Sequence, residues 1–189
     1  MKRILYIITL AALGFIINGC DKYDEWPAGA SEYENAYYIG FQDWGKNDNK
    51  IIFSVKKDST LGIPVQFFSE QNKNYDVTIK YYVTNSAFAA TGAVLGTDYN
   101  IVDENGTVLS PDGNGAFTMQ WPHALKGVKN VYVKALNNTA ATGTMSFYLQ
   151  FFDPADTTGI TVSNRLNNST TDYSVSAFTQ NYRRRVNIQ

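Results

Sequence analysis

Catalysis needs groups that exchange protons, attack an electrophile or hold a metal, and this sequence is sparing with them. His123 is its one imidazole, in Trp121-Pro122-His123-Ala124, and Cys20 is its one thiol. A catalytic base works on a nucleophile and is oriented by a third group. No Gly-x-Ser-x-Gly or comparable motif accompanies His123, which reads as a surface loop histidine. One Cys and one His exclude a Cys/His zinc site and a disulfide framework. Carboxylates that cleave a glycoside stand about 5–10 Å apart. Asp103 and Glu104 are instead adjacent in Asp103-Glu104-Asn105-Gly106, where turn formation accounts for both. Gly92, Gly96, Gly113 and Gly115 lack the strand, loop and Lys-Ser/Thr helix of a phosphate loop. The expectation is a protein that is not an enzyme and uses no metal or other cofactor.

Aromatic residues are what the sequence has in surplus, at 14%, with 13 Tyr, 11 Phe and 3 Trp. Tyr82, Tyr132 and Tyr148 lie on the polar phase of their strands, beside Lys80, Lys134 and Gln150. Were those strands neighbours in one sheet, the rings would form a band on the wet face. Such rings bind the C–H faces of sugars, while Lys and Gln reach hydroxyls. Tyrosines also favour strands and stabilise cross-strand pairs by ~0.2–1 kcal/mol without any ligand. Trp44, in Phe41-Gln42-Asp43-Trp44-Gly45-Lys46-Asn47-Asp48, sits in a polar loop that packing explains less well, and it joins the candidate ligand contacts. The balance of 16 Lys+Arg against 17 Asp+Glu, a net charge of −1, excludes a nucleic-acid binder.

The elements that must position these residues are strands. Apolar residues alternate with polar ones in Ile51-Phe53-Val55, Ile63-Val65-Phe67, Val77-Ile79-Tyr81-Val83, Phe117-Met119-Trp121, Val131-Val133-Ala135, Met145-Phe147-Leu149-Phe151 and Tyr173-Val175-Ala177. Asp103-Glu104-Asn105-Gly106 and Pro111-Asp112-Gly113-Asn114-Gly115 supply turn residues. Seven to nine short strands at this spacing predict an all-β, antiparallel sandwich. Pro64 lacks a ladder donor and suggests an edge strand or a strand start. The polar stretch from Gly159 to Thr171 reads as a long loop. A length of 189 residues and no internal repeat predict one domain over residues 36–189.

Lys2 and Arg3 precede an apolar run from Ile4 to Ile17, about 21 Å as a helix at ~1.5 Å per residue. That is short of a ~30 Å hydrocarbon core and right for a secretory h-region. Residues 1–19 read as a signal peptide and 20–35 as a flexible tether. Ile17-Asn18-Gly19-Cys20 resembles the lipobox of bacterial lipoproteins, which implies a lipidated Cys20 as a stable membrane anchor. Trp26, in that tether, could touch the membrane interface. Asp21-Lys22-Tyr23-Asp24-Glu25 is similar to the signal that sends lipoproteins of Bacteroidota-type bacteria to the outer face of the outer membrane. In enterobacterial lipoproteins an Asp directly after the Cys implies inner-membrane retention, so two addresses stand open on this segment.

The stretch Ala89-Ala90-Thr91-Gly92-Ala93-Val94-Leu95-Gly96-Thr97-Asp98-Tyr99, a strand, a turn, Gly115 to Trp121 and then Val128 to Leu136 follow one another in that order. This order resembles the Calx-β type of immunoglobulin-like sandwich. Over residues 36–155 it is similar to Bacteroidota outer-membrane lipoproteins encoded beside a SusC-like porin and a SusD-like glycan-binding lipoprotein. The resemblance implies a surface lipoprotein that binds glycan as an accessory of such an uptake complex. The alternative is a structural or adhesive module that docks onto a partner protein. Calcium-binding Calx-β domains carry clustered acids in the loop before a late strand. Asn137-Asn138-Thr139-Ala140-Ala141-Thr142-Gly143 has no carboxylate, so Asp98 lacks the expected company and no calcium is expected. Asp58-Ser59-Thr60 and Asp156-Thr157-Thr158 resemble O-glycosylation acceptors of Bacteroidota-type secreted proteins, which implies Ser59 and Thr157 as modified residues.

Overall fold

A strand whose side chains alternate between apolar and polar has one face to bury, and two such sheets satisfy each other by packing face to face. The computed structural model describes residues 34–42, 49–156 and 164–189. Its compact unit, Asn35–Gln189, holds eleven strands among the described residues. In chain order these are β1 (Ala36–Phe41), β2 (Ile52–Val55), β3 (Thr60–Phe68), β4 (Val77–Thr84), β5 (Tyr99–Val102), β6 (Phe117–Trp121), β7 (Gly127–Ala135), β8 (Met145–Gln150), β9 (Asn164–Ser169), β10 (Ser174–Phe178) and β11 (Arg183–Ile188). One sheet runs β5-β7-β3-β1-β10-β9 and the other β2-β11-β8-β4-β6. The expected all-β sandwich forms. It differs from the expected pattern in having more strands and two parallel pairings, β1 with β10 and β2 with β11.

Every alternating segment turns its apolar phase inward. Ile63, Val65 and Phe67 of β3 and Val77, Ile79 and Tyr81 of β4 are all buried. Each side chain so placed contributes about 1.5–3 kcal/mol of hydrophobic stabilisation. Aromatic stacks run through the core: Tyr99 lies on Phe147 at 3.9 Å between centroids, and Phe67 on Trp121 at 4.9 Å. Burial pushes the Tyr81 and Tyr99 phenols well above their ordinary pKa, with the Asp98 charge adding to the effect at Tyr99.

β1 and β10 lie in one sheet while β2 and β11, the strands that follow them in the chain, pair in the other, and polar side chains tie the ends of these strands together. Asn49 Nδ2 donates to Thr179 O at 2.7 Å, and Asn49 Oδ1 accepts from the Tyr182 and Arg183 N–H groups at 3.0 and 3.1 Å. Asn181 Nδ2 donates to Phe41 O, and its Oδ1 accepts from Arg184 Nη2. Arg184 points inward from β11 and is 1% exposed, its guanidinium 4.8 Å from the Phe41 ring. Arg184 Nη2 also reaches Gln42 O at 3.3 Å.

That last carbonyl is available because of Pro64. The Gln42 N–H donates to Pro64 O at 3.0 Å, but proline has no N–H to return the bond. Pro64 is therefore neither on an edge strand nor at a strand start: β3 lies between β7 and β1. Its missing donor faces the end of β1, where the buried guanidinium takes its place.

The stretch expected as one long loop from Gly159 to Thr171 contains β9, the outer strand beyond β10. Its asparagines act as backbone substitutes. Asn167 Oδ1 accepts from the Lys80 N–H at 2.9 Å and its Nδ2 donates to Lys80 O at 2.7 Å, as a paired strand residue would. Asn168 Nδ2 donates to Thr78 O at 2.8 Å, and Tyr173 Oη accepts from the Thr78 N–H at 2.9 Å. β9 thus seams the first sheet to β4 of the second, next to where β4 pairs with β8 at Tyr82–Thr84.

The two turn motifs form as expected. Asp103 Oδ1 accepts from the Asn105 and Thr107 N–H groups, and Asp112 Oδ1 from those of Asn114 and Ala116. These hydrogen bonds, led by Thr107 and Ala116 respectively, hold both carboxyls below the usual carboxylate range.

Two outcomes follow for stability. Asn167→Ala removes partners from Lys80 and from Phe151 O, so it should cost about 2–3 kcal/mol in denaturant unfolding. Leu166→Ala, 58% exposed on the same strand, should stay within about 0.5 kcal/mol. Since the folded state raises the Tyr81 and Tyr99 pKa values, their contribution is complete below the free phenol value of about 10 and is lost as pH rises above it. Absorbance at 295 nm should show the exposed tyrosines titrating first. The buried phenols, Tyr81 and Tyr99 among them, should then ionise together with loss of the far-ultraviolet strand signal.

Candidate functional site

Alternation along β11 sends Arg184 into the core and leaves Arg183 and Arg185 on the outer face of the second sheet. Arg185 lies opposite Tyr148 of β8, and Arg183 opposite Gln150. On the other side of β8, Tyr148 faces Thr84 and Gln150 faces Tyr82. Phe88 reaches the same place from the connection after β4. That connection is tied by Phe88 N–H to Asn85 O at 2.9 Å, Thr91 N–H to Phe88 O at 2.9 Å and Asn85 Nδ2 to Ala93 O at 2.9 Å.

The result is a row of rings and guanidiniums in contact, with Phe88 tilted 41° against Tyr148. The Arg183 guanidinium lies 4.6 Å from the Tyr148 ring, Tyr148 lies 4.8 Å from Phe88, and the Arg185 guanidinium lies 5.0 Å from Phe88. Arg183 also lies 5.6 Å from the Tyr182 ring. Arg185 is oriented by Nε to Asn187 Oδ1 at 2.9 Å and Nη2 to Ser146 Oγ at 3.0 Å. Among the described residues neither Arg183 nor Arg185 has a carboxylate within 4.0 Å, and the Arg183 Nε is buried with no hydrogen-bond partner. Ile52, opposite Arg185 on β2 and 52% exposed, forms the rim.

The three-tyrosine band does not form. Tyr148 is on this face, half-buried between Phe88 and Arg183. Tyr82 shares the face but is 8% exposed, and burial, then the charges of Asp153 and Asp112, push its phenol pKa up. Tyr132 is on β7 in the other sheet, paired with Gly62, where an added Cβ would stand 3.2 Å from its ring. Trp44, Cys20 and Thr157 lie outside the described residues. Ser59 is exposed in the turn before β3. His123 is exposed in its turn, as expected of a surface loop histidine, with its backbone N–H donating to Asp76 Oδ1 at 3.0 Å. Arg183, Arg185 and Phe88 were not legible as a site. The available signal was Arg183-Arg184-Arg185 in phase with Val186 and Ile188, which marks a strand with two outward arginines.

Tyr132 instead borders an open groove of about 480 Å³ between β6 and the β5–β7 edge, lined also by Val102, Leu109, Met119, Val128 and Lys129.

The loop Asn137–Gly143, relevant to calcium, is held by a cation the chain itself supplies. Lys57 Nζ donates to Asn138 O at 2.7 Å and to Ala141 O at 3.0 Å. Asp98 accepts from the Val94 N–H at 2.7 Å through Oδ2 and from Asn138 Nδ2 at 2.6 Å through Oδ1. Both carboxylate oxygens thus serve the Gly96-Thr97-Asp98 turn and the loop, and an ammonium occupies the two carbonyls.

No protein-family model and no curated protein matches the chain. Among solved structures it is similar to CaCohA2 from Clostridium acetobutylicum, a cohesin β-sandwich, at 11% identity and a TM-score of 0.35. That likeness covers 82% of this chain and 92% of the other. The class defined by the fold is an all-β sandwich of two mixed sheets.

Millimolar calcium should leave the Tm unchanged, while Lys57→Met should lower stability by about 1.5–3 kcal/mol through its lost charge-assisted bonds. A rise of several degrees with calcium in the unmutated protein would contradict the assignment of Lys57 as the loop's cation.

Proposed function

We propose that this protein is a lipid-anchored sandwich of the bacterial outer surface that binds glycan without catalysis, as an accessory to a SusC/SusD-like uptake complex. The observation that carries the binding reading is the Phe88–Tyr148 ring pair, held on an outer face between two guanidiniums. The half-exposed remainder of each ring offers apolar surface to the C–H groups of sugars, and guanidinium N–H groups donate to hydroxyls and ring oxygens. The anchor reading rests on Ile17-Asn18-Gly19-Cys20, and the surface address on the Lys-containing acidic cluster that follows it.

A second reading, docking onto a partner protein, is favoured by the groove bordered by Tyr132. Val128 on its wall is 46% exposed, and Val108, bridged to Val102, is 55% exposed. Such a patch suits an apolar side chain of another protein better than a sugar.

Affinity electrophoresis through polysaccharide gels tests the glycan reading. Tyr148→Ala and Phe88→Ala should each weaken retardation by about tenfold or more, equivalent to about 1.4 kcal/mol. The Leu166→Ala control should retain it. The Cys20→Ala chain should leave the membrane fraction on carbonate washing. Retention in the membrane would place the anchor elsewhere, and unchanged retardation in both ring variants would remove the site.

A further inference from the structure

Two arginines two positions apart on one strand put like charges on the same face about 7 Å apart. Folded proteins ordinarily answer such a pair with carboxylates, yet among the described residues neither Arg183 nor Arg185 has one within 4.0 Å. Their positions are nevertheless fixed. The Arg183 guanidinium carbon is held over two rings, 4.6 Å from the Tyr148 centroid and 5.6 Å from that of Tyr182, contacts that keep the cation in place. No side-chain hydrogen bond of Arg183 exists among the described residues; its Nε is buried, which leaves the two Nη groups to meet a ligand. Arg185 spends Nε on Asn187 and one Nη2 donor on Ser146, which sets its plane and leaves the remaining donors unused. Arranging two cationic forks in this way, before any ligand arrives, removes the ordering cost that a flexible arginine would incur on binding.

We infer that the glycan bound by this face is an acidic polysaccharide. Its carboxylate or sulfate ester oxygens dock on Arg183 and Arg185, and adjoining sugar units rest against the parts of Tyr148 and Phe88 that stay exposed. This rests on the glycan reading above. A planar, bidentate fork suits both oxyanions. The charge is local: the chain as a whole carries −1, and Asp153 and Asp112 act on Tyr82, bounding the cationic stretch on that side. A small patch between acidic neighbours suits a few anionic groups spaced along a sugar chain. It suits a densely charged nucleic-acid backbone poorly.

The full-length lipoprotein in detergent micelles is run through gels containing polygalacturonate, dextran sulfate or neutral dextran. Polygalacturonate supplies carboxylates, dextran sulfate supplies sulfate esters, and dextran supplies neither. Retardation is expected with one or both acidic polymers and not with dextran, and the acidic polymer that retards identifies the oxyanion. Apparent affinity should fall at least tenfold between 50 and 500 mM NaCl, and at least tenfold in each of Arg183→Gln and Arg185→Gln. If Arg183→Gln lowers the Tm, the more simply held Arg185→Gln and the salt dependence of the unmutated protein carry the test. Retardation by neutral dextran that Tyr148→Ala abolishes and both Arg→Gln changes spare would overturn the anionic inference and leave the glycan reading standing. Retardation by no polymer, acidic or neutral, would overturn both. Binding to poly-glutamate alone, lost in Arg183→Gln, would overturn the inference and reassign the face to an acidic protein. Equal binding to both acidic polymers that neither Arg→Gln change reduces would overturn it as well.

Discussion

The sandwich depends on a polar clasp in an otherwise apolar interior. Asn49, Asn181 and Arg184 tie together two chain segments that lie 130 residues or more apart along the sequence. The Asn49 bonds and the Asn181 Nδ2 bond satisfy backbone groups of Thr179, Tyr182, Arg183 and Phe41 at the ends of these strands. Left unpaired, each of those buried groups would cost about 1–3 kcal/mol. The guanidinium is the most costly member to bury. It is tolerated because it meets carbonyls at Gln42 and Arg183, the Asn181 amide oxygen and the Phe41 ring. Pro64 belongs to this arrangement, since its missing N–H leaves the Gln42 carbonyl to be claimed.

The clasp also determines what the outer face presents. Because Arg184 must point inward, the pleat puts its two neighbours outward, and both are arginines. β8 lies beside β11 and delivers Tyr148 between them, while the short connection after β4 brings Phe88 over the ring. The buried end of β11 and the recognition face are two sides of one strand. A shift of one residue in its register would exchange them, taking Arg183 and Arg185 inward and Val186 outward.

Sequence pattern made most of the core legible, because alternation directly encodes which side chains meet between the sheets. It failed where polar residues do what apolar ones or backbone usually do. β11 escaped notice because its inward phase begins with Arg184, and β9 because Asn167 and Asn168 are poor strand formers that here imitate a neighbouring strand's amides. The candidate face was less legible for another reason. Each tyrosine's phase is local information, whereas strand order is not. Tyr132 follows the same rule as Tyr148 yet belongs to the other sheet, and only the crossing of the chain between layers separates them. Tyr82 illustrates a third limit, since a position on the solvent phase of a strand is still covered when neighbouring segments fold over it.

The place of β11 between β2 and β8 has a kinetic meaning. The second sheet stays divided, with β2 on one side and β8-β4-β6 on the other, until residues 183–188 arrive. Their pairing with β2 closes a loop of well over a hundred residues, a slow step for a chain whose contacts are mostly non-local. A polypeptide emerging amino end first from a narrow pore could form β5-β7-β3-β1 and β8-β4-β6 early, but would leave β2 unjoined to the rest of its sheet until the end. Commitment to the native state would come when the triple-arginine strand emerged and locked the halves together.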